Sequence, residues 1–150
     1  MPTNQRLAEM IAERRLDELD DPIWDGIAEG CFPLHQCGRC GRHYWPASSC
    51  VEHGSAAMAW VPSSGRGVVH TYVVVHRTNN PDYRGDTPYV GVVVRLDEGV
   101  FVHGALADPQ TQVAIGQDVS VVTDRTVPGI AIPRFAPVGD RTREEAHEQH

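Results

Sequence analysis

The chain has 150 residues, 41% hydrophobic and 22% charged, which is the composition of a folded domain with a buried core rather than of a disordered segment. Its 20 acidic and 13 basic residues give a net charge of -7, which argues against broad nucleic-acid binding because that requires clustered positive charge. All 13 basic residues are arginine, so Schiff-base chemistry on a lysine is excluded.

The sequence also bears on location. No segment approaches the roughly 20 apolar residues of a membrane span, and residues 1–21 lack the apolar region of a signal peptide. We therefore expect a cytoplasmic protein that does not engage a membrane. Thiols stay reduced in that compartment, so the four cysteines are expected to be metal ligands or inert thiols rather than disulfides.

Two amphipathic helices are predicted in the N-terminal segment, residues 1–31. The first runs from Thr3 to about Asp21, and the second begins at Pro22 and stops at Gly30. Each helix has one apolar face, which must cover either this protein's own core or a partner. The apolar positions are Leu7, Met10, Ile11, Leu16 and Leu19 in the first helix and Ile23, Trp24, Ile27 and Ala28 in the second.

A metal-binding ribbon is predicted over residues 32–58, which contain too few aliphatic side chains to fold by core burial alone. Cys37, Cys40, Cys50 and His53 follow the pattern C-x2-C-x9-C-x2-H, which places two ligands on each of two tight turns. Three thiolates and one imidazole suit a tetrahedral zinc ion, and a site with four protein ligands is structural rather than catalytic. Metal binding would supply the folding free energy that the segment lacks.

Other assignments of these residues remain open. His43 and His35 are alternative nitrogen ligands, although the regular spacing favours His53. Cys37 and Cys40 could instead form a redox pair, but such pairs usually open a helix, and the glycines and proline nearby oppose a helix. Cys31 lies outside both turns and is interpreted as a small buried thiol in preference to a nucleophile.

A strand-rich region follows over residues 59–138. Five short strands with Gly and Pro between them, and no long helix, predict a small barrel. Gly99 closes a tight hairpin turn, and residues 113–115 lead into a turn at Gly116. Residues 139–150 are charged and are expected to form a mobile tail. The predicted strands are Val68–Arg77, Tyr89–Leu96, Val100–Leu106, Val119–Thr123 and Ile130–Phe135.

One connection is unusually long for so compact a barrel. Thr78–Thr87 is polar throughout, and a loop of this length is as often functional as it is structural. Arg66, Arg77 and Arg84 flank the first strand and this loop, where they could bind a phosphate or simply form a solvated rim. The strand histidines have no carboxylate or serine at a catalytic spacing and are interpreted as structural; they are His70, His76 and His103.

Several segments, taken in order, resemble a family of zinc-ribbon/OB-fold proteins associated with acyl-CoA metabolism that was long catalogued as a domain of unknown function. The similarity extends over about residues 20–138. The matching segments are Pro22–Gly26 through Glu29–Gly30, Leu34–Arg42, Gly65–Val69, Pro88–Gly99, Ile115–Gly116 and Pro133–Pro137.

The resemblance implies a mainly β fold, with N-terminal helices, a rubredoxin-like zinc ribbon and a five-stranded OB-fold barrel. It also implies an accessory subunit that binds thiolase-like enzymes, namely thiolases, acyltransferases and steroid side-chain aldolases, and in some members helps to hold the CoA moiety. The family pattern usually has Cys at the position of His53, and imidazole can replace thiolate as a zinc ligand.

These observations lead to one expected function and two alternatives. We expect a noncatalytic subunit that stabilises a thiolase-like partner acting on an acyl-CoA, in a two-plus-two assembly, with Arg77, Tyr83 and Arg84 facing the partner or its CoA channel. An alternative is a protein that binds single-stranded nucleic acid, which rests on fold analogy alone and is opposed by the acidic charge. In the remaining alternative, Cys31 or a histidine makes the chain itself an enzyme.

Overall fold

A computed structural model of the chain describes residues 21–81, 87–126 and 131–139. The first predicted helix, the centre of the long loop and nearly all of the predicted tail lie outside these ranges. Within them the elements are α1 (Asp21–Ala28), β1 (Pro33–Cys37), β2 (His43–Tyr44), β3 (Met58–Pro62), β4 (Arg66–Val75), β5 (Tyr89–Leu96), β6 (Phe101–Ala105), β7 (Asp118–Asp124) and β8 (Ile132–Pro137).

Helix α1 confirms the predicted second helix and its end. The amide of Cys31 donates to the carbonyl of Gly26 at 2.8 Å, and the amide of Gly30 donates to that of Ile27 at 3.0 Å. With Gly30 at a φ of 84°, these bonds form a Schellman motif, which requires a residue in the left-handed region. Ile27 is the buried residue of the helix.

Strands β1, β2 and β3 form a small antiparallel sheet in the order β2-β1-β3. β1 pairs with β3 along its whole length, from Pro33 opposite Pro62 to Cys37 opposite Met58. Helix α1 packs against β1, and Gly26 makes the approach possible because a Cβ there would lie 2.2 Å from Cγ of Pro33. We call residues 32–62 the ribbon.

The other five strands form an antiparallel sheet in the order β6-β5-β4-β7-β8. A parallel bridge between Leu106 and Phe135 joins the two ends of this sheet, and the amide of Ala107 donates to the carbonyl of Phe135 at 2.9 Å. The sheet thereby curls into the predicted OB-type barrel. We call residues 66–137 the barrel.

The predicted strand boundaries agree with the structure to within about two residues where the positions are described. β5 has the predicted bounds Tyr89–Leu96, whereas β4 begins and ends two residues earlier than predicted. The turn between β5 and β6 has Gly99 at a φ of 87°, as its predicted role requires.

A single apolar core fills the barrel. Its centre includes Val94 and Val102, which are fully buried, with the Phe135 ring over Gly104, where a Cβ would lie 2.6 Å from the ring. Phe32 and Leu34 of the ribbon belong to the same core, so the two regions share one interior.

The predicted domain boundaries stay predictions. Among the described residues, no helix has the length and hydropathy needed to traverse a lipid bilayer.

Candidate metal centre

The four predicted ligands lie together at one end of the ribbon sheet. Cys37 ends β1 and Cys40 follows in a turn closed by a 2.8 Å hydrogen bond from the amide of Gly41 to the carbonyl of Cys37. Cys50 begins the second turn, where its amide and carbonyl each bond Gly54 at 3.0 Å, and His53 lies within it. The ligand atoms of all four side chains lie within 4.8 Å of one another.

The distances within this cluster match those of a metal-centred tetrahedron. A tetrahedral zinc with bonds of about 2.3 Å to sulfur and about 2.05 Å to nitrogen would separate two sulfurs by ~3.8 Å and a sulfur from a nitrogen by ~3.6 Å. Sγ of Cys40 and Sγ of Cys50 are 3.8 Å apart. Nδ1 of His53 lies 3.6 Å from Sγ of Cys37 and 3.6 Å from Sγ of Cys50. The cluster can therefore hold a metal ion through Nδ1 and three thiolates.

Hydrogen-bond donors favour the thiolate form of two of the cysteines. The Tyr44 hydroxyl and then the amides of Glu52 and His53 lower the pKa of Cys50 to about 5, although burial opposes them. The amides of Cys40 and then Arg39 lower the pKa of Cys37. Metal ligation needs deprotonated sulfur, so these donors prepare two of the ligands.

The pKa values of the other two predicted ligands, Cys40 and His53, are raised by their close neighbours. The Arg42 amide lowers the pKa of Cys40, but desolvation and the nearby thiols of Cys37 and Cys50 outweigh it, and the pKa is raised. The hydrogen bond to Cys50 raises the pKa of His53. Four such groups packed this closely repel or compete for protons unless a cation balances them.

Tyr44 contributes to the site in a way that the spacing of the ligands does not reveal. Its hydroxyl donates to Sγ of Cys50 at 3.3 Å and accepts the amide of Val51 at 3.2 Å. The tyrosine thus ties β2 to the second ligand turn and orients Cys50. Only the pairing of β2 with β1, at His35 opposite Tyr44, brings the ring to this position.

The alternative ligands lie elsewhere. His35 is buried in β1 with its ring centre 3.7 Å from that of Trp60, and His43 lies in β2 outside the four-residue cluster. Cys31 is a half-buried free thiol after α1. Among the described residues, the groups that could hold a metal are Cys37, Cys40, Cys50 and His53 alone.

Of the three predicted partner-facing residues, the structure describes Arg77. Arg77 is exposed and follows β4, which ends at Val75. Tyr83 and Arg84 lie outside the described residues. His103 and His70 are exposed and contact aromatic rings, with His103 5.9 Å from Trp45 and His70 4.8 Å from Phe101 between ring centres. No described contact joins either histidine to the metal centre.

Parts of the chain are similar to known proteins. The sequence model of the family described as ChsH2, C-terminal OB-fold domain, matches residues 60–124. A DUF35 domain-containing scaffold protein of Methanocaldococcus jannaschii is 32% identical over 106 residues, which cover 68% of this chain and 74% of the relative.

A subunit from a bacterial enzyme is also similar. The 3-oxo-4,17-pregnadiene-20-carboxyl-CoA hydratase alpha subunit of Mycobacterium tuberculosis is 35% identical over 100 residues, which cover 65% of this chain and 31% of that subunit. The similarity is therefore confined to a minor part of the larger protein.

Solved structures share the fold at lower sequence identity. A chain of the Ltp2-ChsH2(DUF35) aldolase superimposes with a TM-score of 0.70 at 23% identity, covering 82% of this chain and 97% of that one. A DUF35 protein of unknown function from Sulfolobus solfataricus superimposes with a TM-score of 0.59 at 15% identity, covering 91% and 98% of the two chains.

Proposed function

This chain belongs to the DUF35 family, and we propose that it is a noncatalytic accessory subunit of a thiolase-like enzyme that acts on an acyl-CoA. One observation carries the proposal. Relatives that match 68% and 65% of this chain are named as a scaffold protein and as a subunit of a CoA-ester enzyme, and the fold matches a chain of an aldolase assembly. Scaffold and subunit roles both require a surface for another protein.

The chemistry of the metal centre favours a structural function for these four residues. We propose zinc as the ion, because three thiolates and an imidazole at tetrahedral spacing suit it. When bound, zinc would cross-link the two ligand turns. With four protein ligands it would have no open position for a substrate, so the residues Cys37, Cys40, Cys50 and His53 fix the ribbon and perform no chemistry on a substrate.

The proposed assembly follows the family resemblance. The barrel and the loop Thr78–Thr87 face the partner's active-site entrance, with Arg77, Tyr83 and Arg84 beside the acyl or CoA channel. The partner supplies the nucleophile or base for the carbon–carbon chemistry. A two-plus-two stoichiometry and a cytoplasmic location are part of the same proposal.

Copurification followed by reconstitution tests this function. The tagged chain, expressed in its source cells, should bring down a thiolase-like subunit identified by mass spectrometry. That subunit, purified alone, should regain turnover when this chain is added. A Cys31→Ser variant should restore it equally well, because Cys31 lies outside the metal cluster.

Three results would count against the proposal. Full turnover by the partner alone would remove the need for an accessory subunit. Turnover by this chain alone, abolished in the Cys31 variant, would make it an enzyme. Binding of single-stranded DNA or RNA that weakens steeply with salt would favour the nucleic-acid alternative.

A further inference from the structure

The second half of β4 exposes a run of apolar side chains. Tyr72, Val73 and Val74 are 41%, 57% and 40% exposed, although they follow one another in a regular strand. No charged residue occurs from Gly67 to Val75. A neutral, β-branched strand of this kind is normally covered, because water and aggregation both disfavour its exposure.

Among the described residues, the backbone of the same segment is unpaired along one edge. β7 pairs with β4 only over Arg66–Val68, and Val69 exchanges hydrogen bonds with Gly116 and Gln117 just beyond. From Thr71 to Val75, β4 pairs with β5 on one side. Over the described ranges, no strand pairs with its other side.

The hydrogen-bonding groups that face this edge can be identified. The amide of Leu106 donates to the carbonyl of Val90, so the backbone of Val90 is directed towards β6. Val74 is the residue of β4 that pairs with Val90. Because Val90 directs its backbone towards β6, the two residues form a pair without mutual hydrogen bonds. Val74 therefore directs its own N–H and C=O away from β5. Tyr72, two residues earlier on the same strand, has the same orientation. We call the stretch Thr71–Val75 the open edge.

A depression adjoins the open edge on the outside of the barrel. It has a volume of about 270 Å³, and its lining includes Val73, Gly91, Val93 and His103. Gly91 leaves this space because it has no side chain, and a Cβ there would lie 3.3 Å from Cγ1 of Val73. An apolar side chain on a strand beside β4 could reach over Val73 into this depression.

The charges around the open edge indicate which strand it would accept. His76 and Arg77 follow its end and are both exposed, while the open edge itself is neutral. The complementary strand is therefore uncharged and apolar opposite Tyr72–Val74 and acidic where it passes Arg77. A second copy fits poorly, because self-pairing centred on Val73 would set His70 against His76 and bring together two chains of net charge -7.

We propose that the open edge of β4 binds an extended segment of the thiolase-like subunit, which adds a strand to the barrel sheet through the backbones of Tyr72 and Val74. This inference rests on the proposed function and specifies how the two proteins meet. Main-chain hydrogen bonds supply much of the affinity in such strand addition, and the pockets for alternate side chains supply the specificity.

Hydrogen exchange, read amide by amide, tests the proposal on the unmodified proteins. In the free chain the amides of Tyr72 and Val74 should exchange quickly, while those of Val73 and Val75, directed towards β5, should be protected. On adding the copurified thiolase-like subunit, exchange at Tyr72 and Val74 should slow by about 100-fold or more. Unchanged exchange at both amides in a complex that forms normally would overturn the strand-addition proposal and leave the accessory function intact.

A pair of variants at one position separates the backbone from the side chain. Val74→Pro removes the outward N–H without removing a hydrogen bond to β5, and proline is tolerated at such edge positions. Val74→Thr keeps the N–H and the shape. We expect the dissociation constant for the partner to rise about 10- to 100-fold for Val74→Pro and less than about 5-fold for Val74→Thr. Equal effects of the two variants would contradict backbone pairing.

The remaining outcomes also decide the matter. Loss of binding by Val74→Pro counts only if the variant keeps its metal content and its melting temperature, which show that it is folded. If the variant is misfolded, hydrogen exchange on the unmodified complex decides the question. Failure of the wild-type chain to bind a thiolase-like subunit at all would overturn the accessory function and this inference together. Protection of Tyr72 and Val74 in the chain alone, rising with its concentration, would assign the open edge to a second copy.

Discussion

We expect the ribbon and the barrel to be stabilised by different interactions. Nearly all of the buried apolar core comes from the barrel, where alternate residues of β5 point inward. The ribbon adds Phe32 and Leu34, with Trp45 packed against them, and under the proposed function a metal ion held by its four-residue cluster supplies the rest. Hydrophobic burial tolerates gradual change, but a four-ligand site loses its function when one ligand is lost. Damage to each region should therefore have its own signature, confined mainly to that region.

Loss of the metal should have the largest effect, and it should be confined mainly to the ribbon. Cys50→Ser removes a buried thiolate, and structural zinc contributes roughly 10–16 kcal/mol to the folding of zinc-finger peptides at pH 7. We expect the metal content to fall close to zero and amides of β1 and β3 to exchange at least about 100-fold faster, while β5 and β6 keep their protection. Elemental analysis and hydrogen exchange measure the two effects.

A matched cysteine variant controls for that result. Cys31→Ser changes a half-buried thiol outside the cluster and should leave metal content and ribbon exchange unchanged. A Cys50→Ser protein that keeps its metal and its ribbon protection would show that the cluster does not hold the ribbon together.

Truncating a side chain of the barrel core should have the next largest effect. It should lower the stability of the protein and leave the metal centre in the ribbon intact. Leu96 is 2% exposed, so Leu96→Ala should lower the free energy of unfolding by about 2–5 kcal/mol while the native protein keeps its metal. Ile115→Ala, at a side chain 69% exposed, should change it by less than about 0.5 kcal/mol. Urea denaturation with parallel metal analysis checks both. Loss of metal from native Leu96→Ala would mean that the two regions are not separable in this way.

The Tyr44 hydroxyl should have a smaller effect, confined to metal affinity. Tyr44→Phe removes the donor to the Cys50 thiolate, and loss of such supporting hydrogen bonds typically weakens metal binding by about 10- to 100-fold. Competition against a chromophoric chelator measures the change. Tyr89→Phe, in the barrel, should leave the affinity unaltered, and equal affinities for all three proteins would mean that the hydroxyl does not support the site.

The smallest predicted effect is electrostatic and lies at the end of β7. Burial raises the pKa of Asp124, but hydrogen bonds from the hydroxyl and amide of Thr126 and the nearby Arg134 outweigh it and hold the pKa below its ordinary value. A depressed folded pKa stabilises the protein above the unfolded pKa of 3.8 and loses that stabilisation as the pH falls through the folded pKa.

Asp124→Asn should therefore cost less than about 1 kcal/mol at pH 7, and the cost should disappear in acid. Melting temperatures of the two proteins at pH 7 and about pH 3 provide the measurement. A difference that grows in acid would contradict the assigned direction.

The features that could be predicted from the sequence are those encoded locally. The two ligand turns follow from the spacing of Cys37, Cys40, Cys50 and His53, and β5 follows from a β-branched run that ends in a glycine turn. The positions of residues that meet across different strands could not be predicted from local sequence patterns. The Tyr44 hydroxyl reaches Cys50 only through the register of β2, and Phe32 enters the barrel core only through the docking of β1.

The open edge of β4 illustrates the same limit. Its β-branched residues predict a strand, but whether a strand is covered depends on where its neighbours stop. β7 pairs with β4 only as far as Val68, and that register is a property of the closed barrel rather than of the sequence of β4.

Reconstituted turnover is the decisive measurement of whether this noncatalytic chain supports an enzyme partner. The purified thiolase-like partner would be titrated with this chain while its acyl-CoA turnover is measured. We predict that turnover rises with added chain, saturates at a fixed ratio and fails to rise with the metal-free Cys50→Ser variant. Full turnover before any chain is added, or turnover by the chain alone, would contradict the accessory role.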